Sequence, residues 1–255
     1  MTNTFNEAAS NNIMEPPREA GRHTIYSPFG PCVGYKKLSK ELVRELNKCC
    51  DDHNKGKKTL GNHANNLIGK VSEEPTMPPD LVNQVLNETY DFMSEYMIIT
   101  KSRDIKKDVH FQGNTIPHFE SNSAWFVRQF ENEYNPIHVH TGCHLSCIGY
   151  LKIPKSIEKD RQNDPKNWRN TSHGMTEFVY GQAYDVLPAA TNFRIKPEVG
   201  DFWLFPATLQ HLVYPFQTKG ERRSFSMNIQ FELRNIGQDE KPSFTSTPTP
   251  KPNAF

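Results

Sequence analysis

From Ser121 to Leu233 the sequence alternates with a period of two, the side-chain period of a β-strand. The pattern predicts strands over 124–130, 145–153, 175–180, 192–196, 201–205, 211–214 and 222–233, with Gly, Pro and Asn turns between them. Several short strands so spaced predict an antiparallel sandwich or barrel. The last strand says most. Arg222, Ser224, Ser226, Asn228 and Gln230 share one face, and Phe225, Met227, Ile229 and Phe231 share the other. A polar face inside a sandwich is costly unless it meets water or a polar ligand. Arginine matches a carboxylate bidentately, so a dicarboxylate would satisfy such a face.

The first 100 residues follow a helical period instead. Ser39 is a good N-cap ahead of Leu42, Val43 and Leu46. A second helix opens at Pro78-Pro79-Asp80 and carries Leu81, Val82, Val85, Leu86, Thr89, Tyr90, Met93, Tyr96 and Met97. The polar stretch from Asp51 to Pro75 between them reads as a surface loop. A second polar stretch, Lys155 to Gly174 with Trp168 inside it, is a long insert of the kind that carries binding determinants. The expected layout is a disordered segment over 1–22, one domain over 23–237, and a disordered tail over 238–255. Within that domain, helical support would occupy 23–110 and the β core 111–237.

At 255 residues the chain fits one large β domain. Lys plus Arg is 30 and Asp plus Glu is 29, for a net charge of +1. That balance argues against a uniform basic surface for nucleic acid. No apolar run reaches the roughly 18 residues of a membrane span. Residues 1–20 lack the layout of a signal peptide. Five cysteines without regular spacing read as free thiols, which with the missing leader predicts a cytoplasmic protein.

Candidate chemistry begins at Asn135-Pro136-Ile137-His138-Val139-His140. In an extended chain His138 and His140 point to one side, where two imidazoles can bind one metal ion. A second stretch runs Gly200-Asp201-Phe202-Trp203-Leu204-Phe205-Pro206, then His211-Leu212-Val213-Tyr214-Pro215, then Arg222-Arg223-Ser224. This ordered set resembles the 2-oxoglutarate- and Fe(II)-dependent oxygenases, above all a group from bacteria and phages. Ser146 to Leu151 adds a fainter likeness to prolyl 4-hydroxylases. The resemblance covers about residues 121–233.

The resemblance implies a mainly β fold with flanking helices: a double-stranded β-helix, or jelly-roll, braced by N-terminal helices. It implies a dioxygenase, expected to be a hydroxylase, that uses Fe(II) and 2-oxoglutarate and releases succinate and CO2. His138, His140 and His211 match its metal ligands. His140 stands where most of the family has Asp or Glu, which leaves the site one negative charge short. Tyr150 and Arg222 match the residues that hold the far carboxylate of 2-oxoglutarate, and Ser226 would complete that clasp. Arg223 competes with Arg222, but strand phase favours Arg222. Besides O2, the partner would be an unidentified C–H substrate, a protein side chain or a small molecule, with nucleic acid the least expected and no membrane.

Two other classes stay open. One is a three-His cupin-like dioxygenase that needs no 2-oxoglutarate. The other is a jelly-roll binding module without turnover. Only the 2-oxoglutarate-dependent oxygenase needs Arg222 with Tyr150. A zinc site from His140, Cys143, His144 and Cys147 mixes a tight loop with a strand and puts Cys147 opposite Tyr150. His53, His63, His110, His118 and His173 read as surface residues, and Trp125 and Trp203 as core.

Overall fold

The computed structural model describes residues 13–14, 23–26, 30–63, 69–102, 115–163, 172–181, 191–235 and 245–246. Twelve strands form two sheets among them. The major sheet is assembled from β2 (His23–Tyr26), β3 (Val33–Lys37), β4 (Thr115–Gln129), β6 (Leu145–Lys152), β9 (Asp201–Pro206), β11 (Arg222–Asn235) and β12 (Thr245–Ser246). Its order is β12-β4-β11-β6-β9-β3-β2. The minor sheet comprises β1 (Ile13–Met14), β5 (Asn135–His138), β7 (Thr176–Val179), β8 (Asn192–Ile195) and β10 (Gln210–Val213), in the order β1-β8-β7-β10-β5. From β4 to β11 the strands alternate between the sheets, except that β7 and β8 are neighbours in the minor sheet, and the pairing is antiparallel throughout this core. This is a jelly-roll of two packed sheets.

The period-two strands emerge close to their expected bounds, because each has one face in the inter-sheet core or against the helices. In β6, Ile148 and Tyr150 join Val33, Tyr35, Phe178, Phe193, Trp203 and Phe205 between the sheets. Its alternate residues Leu145, Cys147 and Leu151 meet the helices. With both faces covered, the strand is buried from Leu145 to Leu151. Gly149 lets β11 pack close, since a Cβ there would lie 2.1 Å from the Phe225 ring.

Helices α1 (Lys40–Asn54) and α2 (Pro79–Ser102) cover the outer face of the major sheet. Ser39 caps α1, its hydroxyl accepting from Leu42 N at 3.2 Å. Ser39 also donates from N and Oγ to Glu88 of α2, at 2.7 and 2.6 Å. A cap of this kind contributes about 1 kcal/mol, and here it joins the two helices as well.

Three expectations change. The region 23–110 is not helical support alone, because β2 and β3 extend the major sheet. Val33 and Tyr35 face the inter-sheet core, while Gly34 between them leaves room for Phe92 and Tyr96 of α2. Second, part of the polar stretch 51–75 is a strap and not a loop. Glu73 and Thr76 bridge to Arg128 and Trp125 at the edge of β4, and Lys70 bridges to Tyr134 ahead of β5. Backbone pairing with an open edge outweighs the strap's polar composition. Third, the terminal stretches hold two short pairings: Ile13–Met14 with Arg194–Ile195, and Thr245–Ser246 with Glu120–Ser121. The rest of 1–22 and 238–255, Trp168 and His110 lie outside the described residues. Within the 155–174 insert, Ser156–Asn163 forms helix α3. No helix among the described residues is long and apolar enough to cross a membrane.

Candidate active site

His138 ends β5 and lies directly opposite His211 of β10 in the antiparallel ladder. His140 follows just beyond the strand, its backbone N donating to Ala207 O at 2.9 Å. Ile137 and Val139 point the other way and are exposed. Ligand atoms of the three histidines lie within 4.8 Å of one another. No cysteine or carboxylate belongs to this group, and Cys147 sits on the helix side, so the zinc alternative finds no geometry.

The Nδ1 atom of each ring is engaged. In His138 it pairs with Pro136 O at 2.7 Å, in His211 with Leu209 O at 2.9 Å, and in His140 with Asn228 Oδ1 at 2.7 Å. These acceptors fix the tautomer with hydrogen on Nδ1 and leave three Nε2 lone pairs. The Nε2 atoms of His140 and His211 approach to 3.3 Å. Lone pairs that converge in this way repel unless a cation lies between them. Burial keeps the rings neutral. It pushes His138 down, His140 down to about 4 with His138 adding to the effect, and His211 well below the usual range.

Arg222 lies farther along the inter-sheet space and is 1% exposed. Its Nε donates to Gly174 O at 3.1 Å and a terminal nitrogen to Thr176 Oγ1 at 3.4 Å, and the guanidinium covers the Tyr150 ring at 5.0 Å. Among the described residues it makes no ion pair. Desolvation pushes its pKa down, yet arginine stays charged in proteins. Tyr150 is fully buried and shares a 2.7 Å hydrogen bond with Thr176 Oγ1. Thr176 thus joins Tyr150 to Arg222. Ser226 lies nearer the histidines, opposite Trp125 and Ile148, and bonds to neither residue. Arg223 faces the helices and pairs with Asp51 and Glu221 at 2.8 Å each.

Thr176 is one pleat from Phe178, which pairs with His211. The row of Arg222 therefore stands roughly 7 Å from the row of histidines, two residues at strand rise. The wall between carries Ser224, Ser226 and Asn228, with Ser146 beside Asn228. Ser146 Oγ is buried and has no hydrogen-bond partner among the described residues. A polar ligand reaching along this wall would meet the imidazoles at one end and the Arg222 guanidinium at the other.

Residues 123–228 match the family described as "Putative 2OG-Fe(II) oxygenase". The β core of this chain is therefore similar to 2OG-Fe(II) oxygenases. Such an oxygenase works with Fe(II), 2-oxoglutarate, O2 and a substrate. The residues present fit both groups: three convergent imidazole nitrogens suit the metal, and a buried arginine without an acidic partner suits the dicarboxylate. No curated protein matches the sequence. Several solved structures are similar at low identity. A Pseudomonas putida prolyl-4-hydroxylase shares 15% identity over 80% of this chain and 93% of its own, with a TM-score of 0.45. A Trichoplax adhaerens prolyl hydroxylase, in complex with a hypoxia inducible factor oxygen degradation domain peptide, shares 13% over 79% and 83%, at 0.44. HygX from Streptomyces hygroscopicus, with nickel and 2-oxoglutarate bound, shares 10% over 78% and 82%, at 0.43.

Four residues carry weight that the sequence reading did not give them. Thr176 and Asn228 were visible only as polar positions on strands. Pairing in phase with Phe178 would have turned Thr176 inward. His63 is half-buried and stacks on Trp125 at 4.5 Å and 18°, and Trp125 in turn stacks on His140 at 6.0 Å and 27°. A wall of rings therefore stands beside His140, where a surface His63 is expected from the sequence. His118 is also buried, at 3% exposure, with both ring nitrogens lacking a partner among the described residues.

Proposed function

We propose that residues 23–237 form one oxygenase unit that hydroxylates a C–H bond. In this reading His138, His140 and His211 hold Fe(II) through Nε2. Arg222 and Tyr150, joined by Thr176, bind the far carboxylate of 2-oxoglutarate, and Ser226 lines the passage between. When bound, iron and 2-oxoglutarate supply the oxidising chemistry: substrate C–H, O2 and 2-oxoglutarate give substrate C–OH, succinate and CO2.

The chain's own contribution is placement. The Nδ1 bonds aim the three imidazoles. The neutral rings add no charge of their own, so the bound complex stays more positive than one with a carboxylate ligand. Arg222 selects an acid of matching length. Buried apolar neighbours of the site, Phe178 and Phe205, keep water from its inner side. The substrate is read as a protein side chain or a small molecule.

The observation that carries this reading is the pairing, in one inter-sheet space, of three convergent Nε2 atoms with a buried arginine that lacks an acid. The test is succinate formation from 2-oxoglutarate by purified protein with Fe(II) and O2, with and without peptide and metabolite pools. Iron-dependent succinate that disappears in His211→Ala supports it. Metal binding with no 2-oxoglutarate binding would favour a cupin-like dioxygenase instead.

A further inference from the structure

The described residues of the insert between β6 and β7 pack beside Arg222. Helix α3 of the insert turns Ile157 and Arg161 inward, at 1% and 8% exposure. Arg161 donates from Nε and one terminal nitrogen to His173 O, at 3.1 and 2.9 Å. The next carbonyl along the chain, that of Gly174, accepts from Arg222 Nε at 3.1 Å. Two guanidiniums therefore hang from consecutive carbonyls of one turn.

That turn is held on three sides. Met175 N donates to Ser172 O at 2.8 Å and Gly174 N to Pro215 O at 3.2 Å. Gly174 has φ of 65°, in the left-handed region, and a Cβ there would come within 2.8 Å of Ile157 Cδ1. Only glycine meets both demands without strain.

Among the described residues, charge at this end is unbalanced. Arg222 makes no ion pair among the described residues. Arg161 pairs with Glu158 at 3.3 Å, but that carboxylate is 47% exposed and is shared with Lys196. Arg222 is depressed first by desolvation, with Tyr150 opposing and the Arg161 charge adding to the fall. Two like charges in a desolvated space are tolerated where a ligand brings negative charge.

We propose that Arg161 is a positioning residue for the far carboxylate of the cosubstrate: it holds the turn that aims Arg222 and adds a second positive charge there. The proposal rests on Arg222 as the 2-oxoglutarate anchor. It gives the 155–174 insert a task, which is to favour a 2-oxo acid that ends in a second carboxylate.

The test compares 2-oxoglutarate with 2-oxovalerate, which has the same chain length and no second carboxylate. Binding of each is measured on the Fe(II)-loaded full chain without oxygen. Arg161→Gln should lower the preference for 2-oxoglutarate about tenfold and leave 2-oxovalerate affinity unchanged. Arg161→Lys, which keeps the charge, should retain more of the preference. A merely structural role would weaken both acids together. Glu158→Gln is an independent check with opposite sign: removing the nearby negative charge should tighten 2-oxoglutarate about twofold and spare 2-oxovalerate. An unchanged preference in Arg161→Gln, or weaker 2-oxoglutarate binding in Glu158→Gln, overturns the proposal. Arg222→Ala separates the two readings. A preference that survives in Arg222→Ala removes the anchor, and the role of Arg161 with it. A preference lost in Arg222→Ala but intact in Arg161→Gln removes Arg161 alone.

Discussion

Arg222 and Arg223 are adjacent in β11, are each 1% exposed, and face opposite sides of the sheet. Arg223 is surrounded by acceptors: Glu221, Asp51 and the Asn47 side chain. Among the described residues, Arg222 meets a carbonyl, a threonine hydroxyl and the face of a tyrosine, and no carboxylate. One arginine is already neutralised by the fold, and the other is not.

The two should therefore separate binding from stability. Arg222→Ala is expected to weaken 2-oxoglutarate binding by one to two powers of ten, since a charge-assisted hydrogen bond is worth about 1.5–3 kcal/mol. Arg223→Ala should leave that affinity alone and lower stability by about 3 kcal/mol, the scale of breaking a buried pair. Calorimetric titration and urea unfolding on both variants check this. The opposite ranking would contradict the assignment.

Glu221 sets the acid side of the pH profile. Burial opposes its ionisation, but Arg223, Lys152 and Arg128 hold its carboxyl down to about 2. A depressed acid stabilises the fold above its unfolded pKa, and the gain is lost as pH falls through the folded one. Stability should drop by about 3 kcal/mol between roughly pH 4.5 and 2 from this group. Glu221→Gln should flatten urea midpoints across that window.

Glu74 acts in the opposite sense. It is 2% exposed in the strap, and its Oε1 has no partner among the described residues. Burial, with Glu133 adding, pushes its carboxyl up to about 7. A raised acid favours the folded state at low pH, and that advantage is lost as pH rises through the folded value. From roughly pH 4.5 to 7 stability should decline by up to about 3 kcal/mol. Glu74→Gln should remove the decline and be more stable than wild type at pH 8; equal unfolding midpoints of the two proteins at pH 8 would contradict this.

Asn228 is expected to control metal affinity through His140. Removing the acceptor of a ligating histidine costs about 10- to 100-fold in binding. Asn228→Leu should show that loss in a chelator competition, with Asn228→Asp recovering it. His140→Asp should keep more iron and more uncoupled succinate formation than His140→Ala. If these last two variants behave alike, His140 is not a ligand.

Much of the sandwich was legible because strand phase is a local property. The alternation of Arg222 to Phe231 assigned faces correctly, and it put Arg222 inside and Arg223 outside before any partner was known. The same logic paired His138 with His140. What stayed hidden depends on contacts far apart in sequence. Asn228 meets His140 across 88 residues, and Thr176 meets Arg222 across 46. The strap was misread because polar residues there join the edge of β4 through backbone bonds, which composition does not report. His63 has no partner nearby in sequence; Trp125, on which it stacks, lies in β4.

The ring stack beside His140 also has an optical consequence. Of the two tryptophans among the described residues, Trp125 is the one held against the imidazole of His140, a proposed metal ligand. A paramagnetic ion at that imidazole will quench its emission by proximity, while Trp203, deep among Tyr35 and Phe193, reports on the packed core. Loading of the centre can thus be followed by the protein's own fluorescence, with no dye attached.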